Sequence, residues 1–166
     1  MWEFKQQVRT ALMADATLVA MLATVPGLPN DPAIYLNHIS TLKQVYYPAV
    51  SLFMSSGADP AVRAADTMTL LVDVWVAEIA AKAGQAAGMH GAWAIYRRVK
   101  ACLHMKWRDT ALHNAAYRLG FISESPGASV MEDFDENQKL FHLASKFDVR
   151  LIAVGAELSV SNAGDA

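Results

Sequence analysis

The chain contains a single cysteine, Cys102, among its 166 residues. One thiol closes no internal disulfide and builds no zinc site by itself, so both common staples of small folds are excluded. Charge is also scarce. Charged residues make up 18% of the chain, against about a quarter in an average soluble protein. The 14 basic and 16 acidic side chains form no basic stripe, so the electrostatic footprint of nucleic-acid binding is missing. Long apolar runs are absent too. The longest strongly apolar stretch, 70–81, is interrupted by Asp73 and Glu78, whereas a membrane-spanning helix needs about 20 apolar residues. Residues 1–9 alternate charged and apolar side chains and lack the apolar centre of a secretion signal. A protein made and kept in a cytoplasm, with no membrane partner, is therefore expected. Finally, no G-x-S-x-G elbow, P-loop or H-E-x-x-H sequence occurs, and no spacing sets serine, histidine and aspartate as a triad. Catalysis is not expected.

What the chain does have is apolar side chains, at 54%. Its length suits one domain with a real core. Few charges on a small, apolar-rich protein point to surface hidden between subunits. The periodicities divide the chain into elements. Phe4, Val8, Ala11 and Leu12 form one helical stripe. Asp15 has the character of an N-cap for a second helix over 16–23, with Leu18, Val19 and Leu22 inward. The turn-rich stretch 26–32 stops it. Short extended segments follow at 33–37 and 49–55, the latter with Val50, Leu52 and Met54 on one face and Phe53 on the other. Gly57 to Pro60 reads as a turn. The next strand alternates most clearly: Met68, Leu70, Val72, Val74 and Val76 on one face, Thr67, Thr69, Leu71, Asp73 and Trp75 on the other. Such alternation favours an antiparallel sheet covered on one face. A long helix over about 85–105 places Met89, Trp93, Tyr96, Val99 and Leu103 together. Extended chain returns at 117–124, breaks at 125–127, passes an acidic loop at 132–136, and ends in a strand carrying Phe141, Leu143, Phe147, Val149 and Leu151. The order predicts an α+β domain over 1–153, mainly antiparallel, with the long helix and the N-terminal helices packed on one face, and a loose tail over 154–166.

Four features could carry chemistry. Gly84, Gly88 and Gly91 follow a strand and open a helix, as a phosphate-cradling loop does. Their spacing is G-x-x-x-G-x-x-G rather than G-x-G-x-x-G, and about eight residues separate them from the strand, where a tight turn is required. A loose helix start with close packing is the plainer reading, and no cofactor is expected. Cys102 and His104 are two residues apart, a spacing that does not converge on a helix; neither His113 nor His90 completes a metal quartet, and no metal site is expected. Glu132, Asp133, Asp135 and Glu136 lack the glycine and terminal glutamate of a calcium loop. They read as a solvated tip able to meet a basic patch on a partner. Trp75, on the less apolar face of the best strand, is a candidate interface anchor, or it packs beneath a loop or helix.

The ordered set of motifs resembles the tail-completion (tail-terminator) family of tailed bacteriophages. The segment 8–22 is similar to the family's helix–Asp–helix opening. Ile34-Tyr35 matches its short strand, Pro48-Ala-Val50 the start of the next, and Val72-Asp-Val-Trp75 the one after. A long helix, an aspartate-rich turn and a last strand follow in order, so the likeness covers about 5–152. The segment 104–131 and the extension past Ile152 depart from the pattern. The resemblance implies a structural virion protein, assembled in the host cytoplasm. It would form a ring, commonly a hexamer, at the head-proximal end of the tail tube, ending tube polymerisation and joining tail to neck. Its partners would be its own copies, the tube protein and neck or connector proteins. Trp75, Glu132, Asp133, Asp135 and Glu136 are the candidate contact residues. Another head–tail connector of the same neck is the alternative, and a small nucleotide-binding enzyme using 84–91 a remote one.

Overall fold

A computed structural model describes residues 2–27, 31–55, 65–106, 112–113, 115, 117–125 and 130–154. The expected turn at Gly57–Pro60, the break at Pro126 and Gly127, and the tail past 154 lie outside them. The architecture is α+β, as the alternation and its order require. Helices α1 (Trp2–Met13) and α2 (Ala16–Met21) lead into β1 (Ile34–Tyr35), a 3-10 turn (Ile39–Thr41), β2 (Ala49–Ser55) and β3 (Ala65–Ala77). Helix α3 (Gly88–Leu103) follows, then β4 (Tyr117–Glu124), β5 (Met131–Asp135) and β6 (Leu140–Ala153).

All six strands form one sheet in the order β1-β2-β3-β6-β4, with β5 also paired to β6. Only the β1–β2 pairing is parallel. The spine is β3 against β6, antiparallel and unbroken from Ala65↔Ile152 to Ala77↔Leu140. Along the far edge of β6, β4 pairs with 147–153 and β5 with 140–144, so they lie end to end beside one neighbour. A register shift between Leu119 and Phe121 bulges β4. Gly120 sits in that shift, and a Cβ there would come within 2.9 Å of Ile152 Cδ1. The missing side chain is what lets the bulged backbone lie close to β6.

The period-two pattern sorts the sheet into two faces. Met68, Leu70, Val72, Val74 and Val76 of β3 are all buried, as are Leu143, Phe147, Val149 and Leu151 of β6. Phe4, Val8 and Leu12 of α1 and Ile95, Tyr96, Val99 and Leu103 of α3 complete this core. Each such side chain contributes roughly 1.5–3 kcal/mol by leaving water. Met89 and Trp93, expected on the buried stripe of α3, are half-buried at its margin, while Gly91, Ala92 and Ile95 take the centre. Gly91 lies against Ala86 of the loop before the helix, where a Cβ would come within 3.0 Å. The stretch Glu132–Asp135, expected as loop, is strand β5, and only 136–139 forms the turn. Alternation of acids with Phe134 is compatible with an edge strand, whose outward positions tolerate charge.

Asp15 ties the helical layer together. Its Oδ1 accepts the Leu18 N–H at 2.9 Å, capping α2. Its Oδ2 accepts from the Arg98 guanidinium and from the Cys102 thiol of α3. Burial opposes ionisation of this carboxyl, but the Leu18, Arg98 and Cys102 contacts outweigh it and hold the group below the ordinary carboxylate range. A carboxyl lowered in the folded state stabilises above its unfolded value and loses that contribution as pH falls through the folded one. Asp15→Ala should therefore cost about 1–2 kcal/mol at pH 7, a fall in Tm of several degrees. Thermal melts should show the gap to the native protein narrowing below about pH 4.

Candidate assembly surface

Among the described residues no α-helix packs on the sheet's second face, and cross-strand pairing arranges its side chains in rows. One row reads Ala49, Trp75, His142 and Asp133; the next reads Ser51, Asp73, Ala144 and Met131; a third reads Phe53, Leu71 and Lys146. The chain from Tyr35 to Pro48 lies over the β2–β3 part of the first two rows, beside Trp75 and Asp73. A small apolar cluster of Ala23, Ala33 and Ala49 fixes this cover, with Val25, Tyr35, Val45, Tyr46 and Tyr47 packed around it. The Tyr46 N–H donates to the Tyr35 hydroxyl at 3.0 Å, and burial pushes the phenols of Tyr35 and Tyr47 above their ordinary range.

Trp75 is half-buried under this segment and stacks on the His142 ring, with centroids 3.8 Å apart and planes 8° from parallel. The expectation of a Trp75 interface anchor thus meets a side chain already engaged on one face. Its other surroundings form a cleft of about 440 Å³ that includes His38, Lys43, Tyr47, Asp135 and Gln138. Beneath lies Asp73, only 7% exposed. Its carboxylate sits between two imidazoles, 3.5 Å from His142 Nε2 and 3.7 Å from His38 Nε2. Both separations exceed a hydrogen bond, and Ser51 Oγ, Trp75 Nε1 and His142 Nε2 are buried without a hydrogen-bond partner among the described residues.

Ser40, His38 and Asp73 are the residue types of a hydrolytic triad, but their geometry is that of a turn. His38 is the N-cap of the 3-10 turn: its Nδ1 lies 2.7 Å from Ser40 Oγ and accepts the Ser40 N–H at 3.3 Å. The serine is a turn neighbour of the histidine, and the histidine–carboxylate link is long. A triad needs the nucleophile and the orienting carboxylate both in hydrogen-bond reach of the imidazole.

The acidic residues do not gather with Trp75 as one patch. Glu132 Oε1 accepts the Trp93 indole N–H at 2.7 Å, on the helix-covered side. Asp133 Oδ1 accepts the Phe134 N–H at 2.8 Å. Asp135 Oδ1 accepts from Asn137 and Gln138 at 2.9 and 3.0 Å, capping the β5–β6 turn. Glu136 is exposed in that turn. Asp135 shares the cleft with Trp75, and Asp133 pairs in register with His142. Sequence reasoning passed over His38, Asp73 and His142. The available signal was an aspartate inside an otherwise apolar strand, but the register that sets His142 beside Trp75 is not local.

The other candidates have structural occupations. Cys102 donates to Asp15, and burial together with that carboxylate pushes its thiol up to about 11. His104 Nδ1 accepts the Glu124 N–H at 3.1 Å. Among the described residues no group of three or more His, Cys, Asp or Glu side chains could hold a metal ion, and no helix is long and apolar enough to cross a membrane. At the glycine loop, residues 78–87 separate β3 from α3, Gly84 and Gly88 have φ of +87° and +62°, and a Cβ on Gly91 would meet Ala86 at 3.0 Å. These glycines serve backbone shape and close packing.

No family model matches this chain, and none of the curated proteins does. Among solved structures, a chain of the virion of a native gene transfer agent particle matches it with a TM-score of 0.60. The two are 18% identical, and the match covers 89% of this chain and 93% of that one. At that identity the likeness is one of fold.

The stacked pair gives a direct test of Trp75. Trp75→Phe keeps an aromatic face on His142 and removes the unpartnered N–H; it should stay within about 1 kcal/mol of the native protein. Trp75→Ala removes the stack and opens the cleft floor, and should cost about 2–3 kcal/mol, less than the 3–5 typical of full burial. Urea unfolding of the two variants measures both.

Proposed function

We propose that this chain is a structural virion protein that assembles into a ring at the head-proximal end of a phage tail tube, ending tube growth and joining tail to neck. The carrying observation is the near end-to-end likeness of fold to a virion chain, with 89% and 93% of the two chains covered. The ordered resemblance to the tail-completion family over about 5–152 supports it independently. The face bearing Phe53, at 40% exposure, and the free outer edge of β5 and β4 among the described residues are the kinds of surface that subunits cover in assemblies. A ring follows when each subunit's patch meets a different patch on its neighbour and the rotation closes. The alternative within the same particle is a head–tail connector, favoured by the same fold and composition.

Light scattering over a range of concentrations, with negative-stain images, should give a ring or a monomer that becomes a ring on purified tail tubes. Capped tubes that stop elongating support the terminator; binding to portal-bearing heads and not to tubes supports the connector; a strict monomer that ignores both sinks the assembly reading. A thermal-shift screen with nucleotides should show no stabilisation, and a shift rising with nucleotide concentration would reopen the 84–91 loop as a binding site.

A further inference from the structure

We propose that the open half of the second sheet face is the docking site for another copy of this chain, which presents its β5–β6 hairpin there. This inference rests on the ring reading and names its contact. The covering segment 35–48 shields Trp75 and Asp73, and beyond them no described residue lies over the face. Phe53 is 40% exposed, Leu71 beside it is half-exposed, and Lys146 and Arg150 of β6 are exposed. Neither cation has an ion-pair partner among the described residues. Asp148, between them, is engaged by the Ser125 hydroxyl at 2.6 Å. The face is therefore apolar at its centre and positive along one strand.

The complementary surface lies on the same molecule. The hairpin carries Glu132, Asp133, Asp135 and Glu136 against the single cation Lys139 over 131–139. Glu136 has no partner among the described residues, and Asp133 is exposed with only a local N–H on its carboxylate. Met131, 65% exposed, adds an apolar contact at the base. Hairpin and face cannot meet within one subunit. Both are anchored to β6: the turn lies beside Leu140, roughly 20 and 33 Å along the strand from the cations at 146 and 150, and Asp133 lies opposite His142, roughly 13 Å from Lys146. Two different, complementary patches fixed far apart on a rigid sheet give a head-to-tail contact, the kind that closes into rings. Opposite charge fixes the register, and the Phe53–Leu71 centre supplies the desolvated area.

The test uses two variants of the full chain. Lys146→Glu with Arg150→Glu reverses the face and keeps the hairpin; Asp133→Lys with Glu136→Lys reverses the hairpin and keeps the face. Thermal melts first establish that each folds, with Glu136→Lys alone as the substitute if the second does not. In light scattering each variant should self-associate about tenfold or more weakly than the native chain. Mixed, they should assemble at close to native strength with the two variants alternating, because the intact hairpin meets the intact face and the reversed hairpin meets the reversed face. All four substitutions in one chain should restore the native assembly. If the native chain forms rings and either folded variant keeps them at native strength, or if the mixture assembles no more strongly than either variant alone, this contact is wrong and the ring reading stands. If the native chain stays monomeric with and without tail tubes, both fall.

Discussion

Everything in this fold is referred to the pairing of β3 with β6. Their ladder runs without a break along the whole of β3; β2, β4 and β5 each attach to one of the two, and β1 is added on β2. A one-residue slip would exchange the buried row of Leu70, Val72 and Val74 for that of Leu71, Asp73 and Trp75, putting a carboxylate into the core. The register is thus held by the difference in burial between two sets of alternating side chains, and that difference defines a dry face and a working face.

The two faces are finished differently. The first is sealed by α1 and α3, with Asp15 holding α2 and α3 to each other. Among the described residues the second is covered where the 35–48 segment lies across it, and the polar groups caught beneath, Asp73 with two imidazoles and an unpartnered serine, show incomplete satisfaction. A folded monomer leaves few such groups without reason. Unpartnered atoms occur on the helix-covered side too, at Tyr96 Oη and Arg98 Nε, so what distinguishes the second face is its exposed apolar surface at Phe53.

Much of this was legible from residue order. The strand at 65–77, the Asp15 cap and the last strand follow from strict period two or a single preferred cap residue, so local sequence carried the signal. The helix limits were off by a few residues because Gly88 and the half-buried Met89 and Trp93 blur the start of α3. Strand β5 was hidden because an edge strand can be acidic, and its pairing is created by β6, nearby in sequence but invisible in composition. The grouping of Trp75, His142, Asp73 and His38 was not legible at all: it draws on two strands and a loop, joined by a register that no local pattern encodes.

The burial that keeps Cys102 next to Asp15 has a consequence for chemistry in an oxidising environment. Nucleophilicity and oxidation both require thiolate, and a thiol pushed to about 11 supplies almost none near neutral pH. The chain's one sulfhydryl is thus slow to form mixed disulfides with other thiols. Covalent scrambling is suppressed by burial and by the same carboxylate that caps a helix.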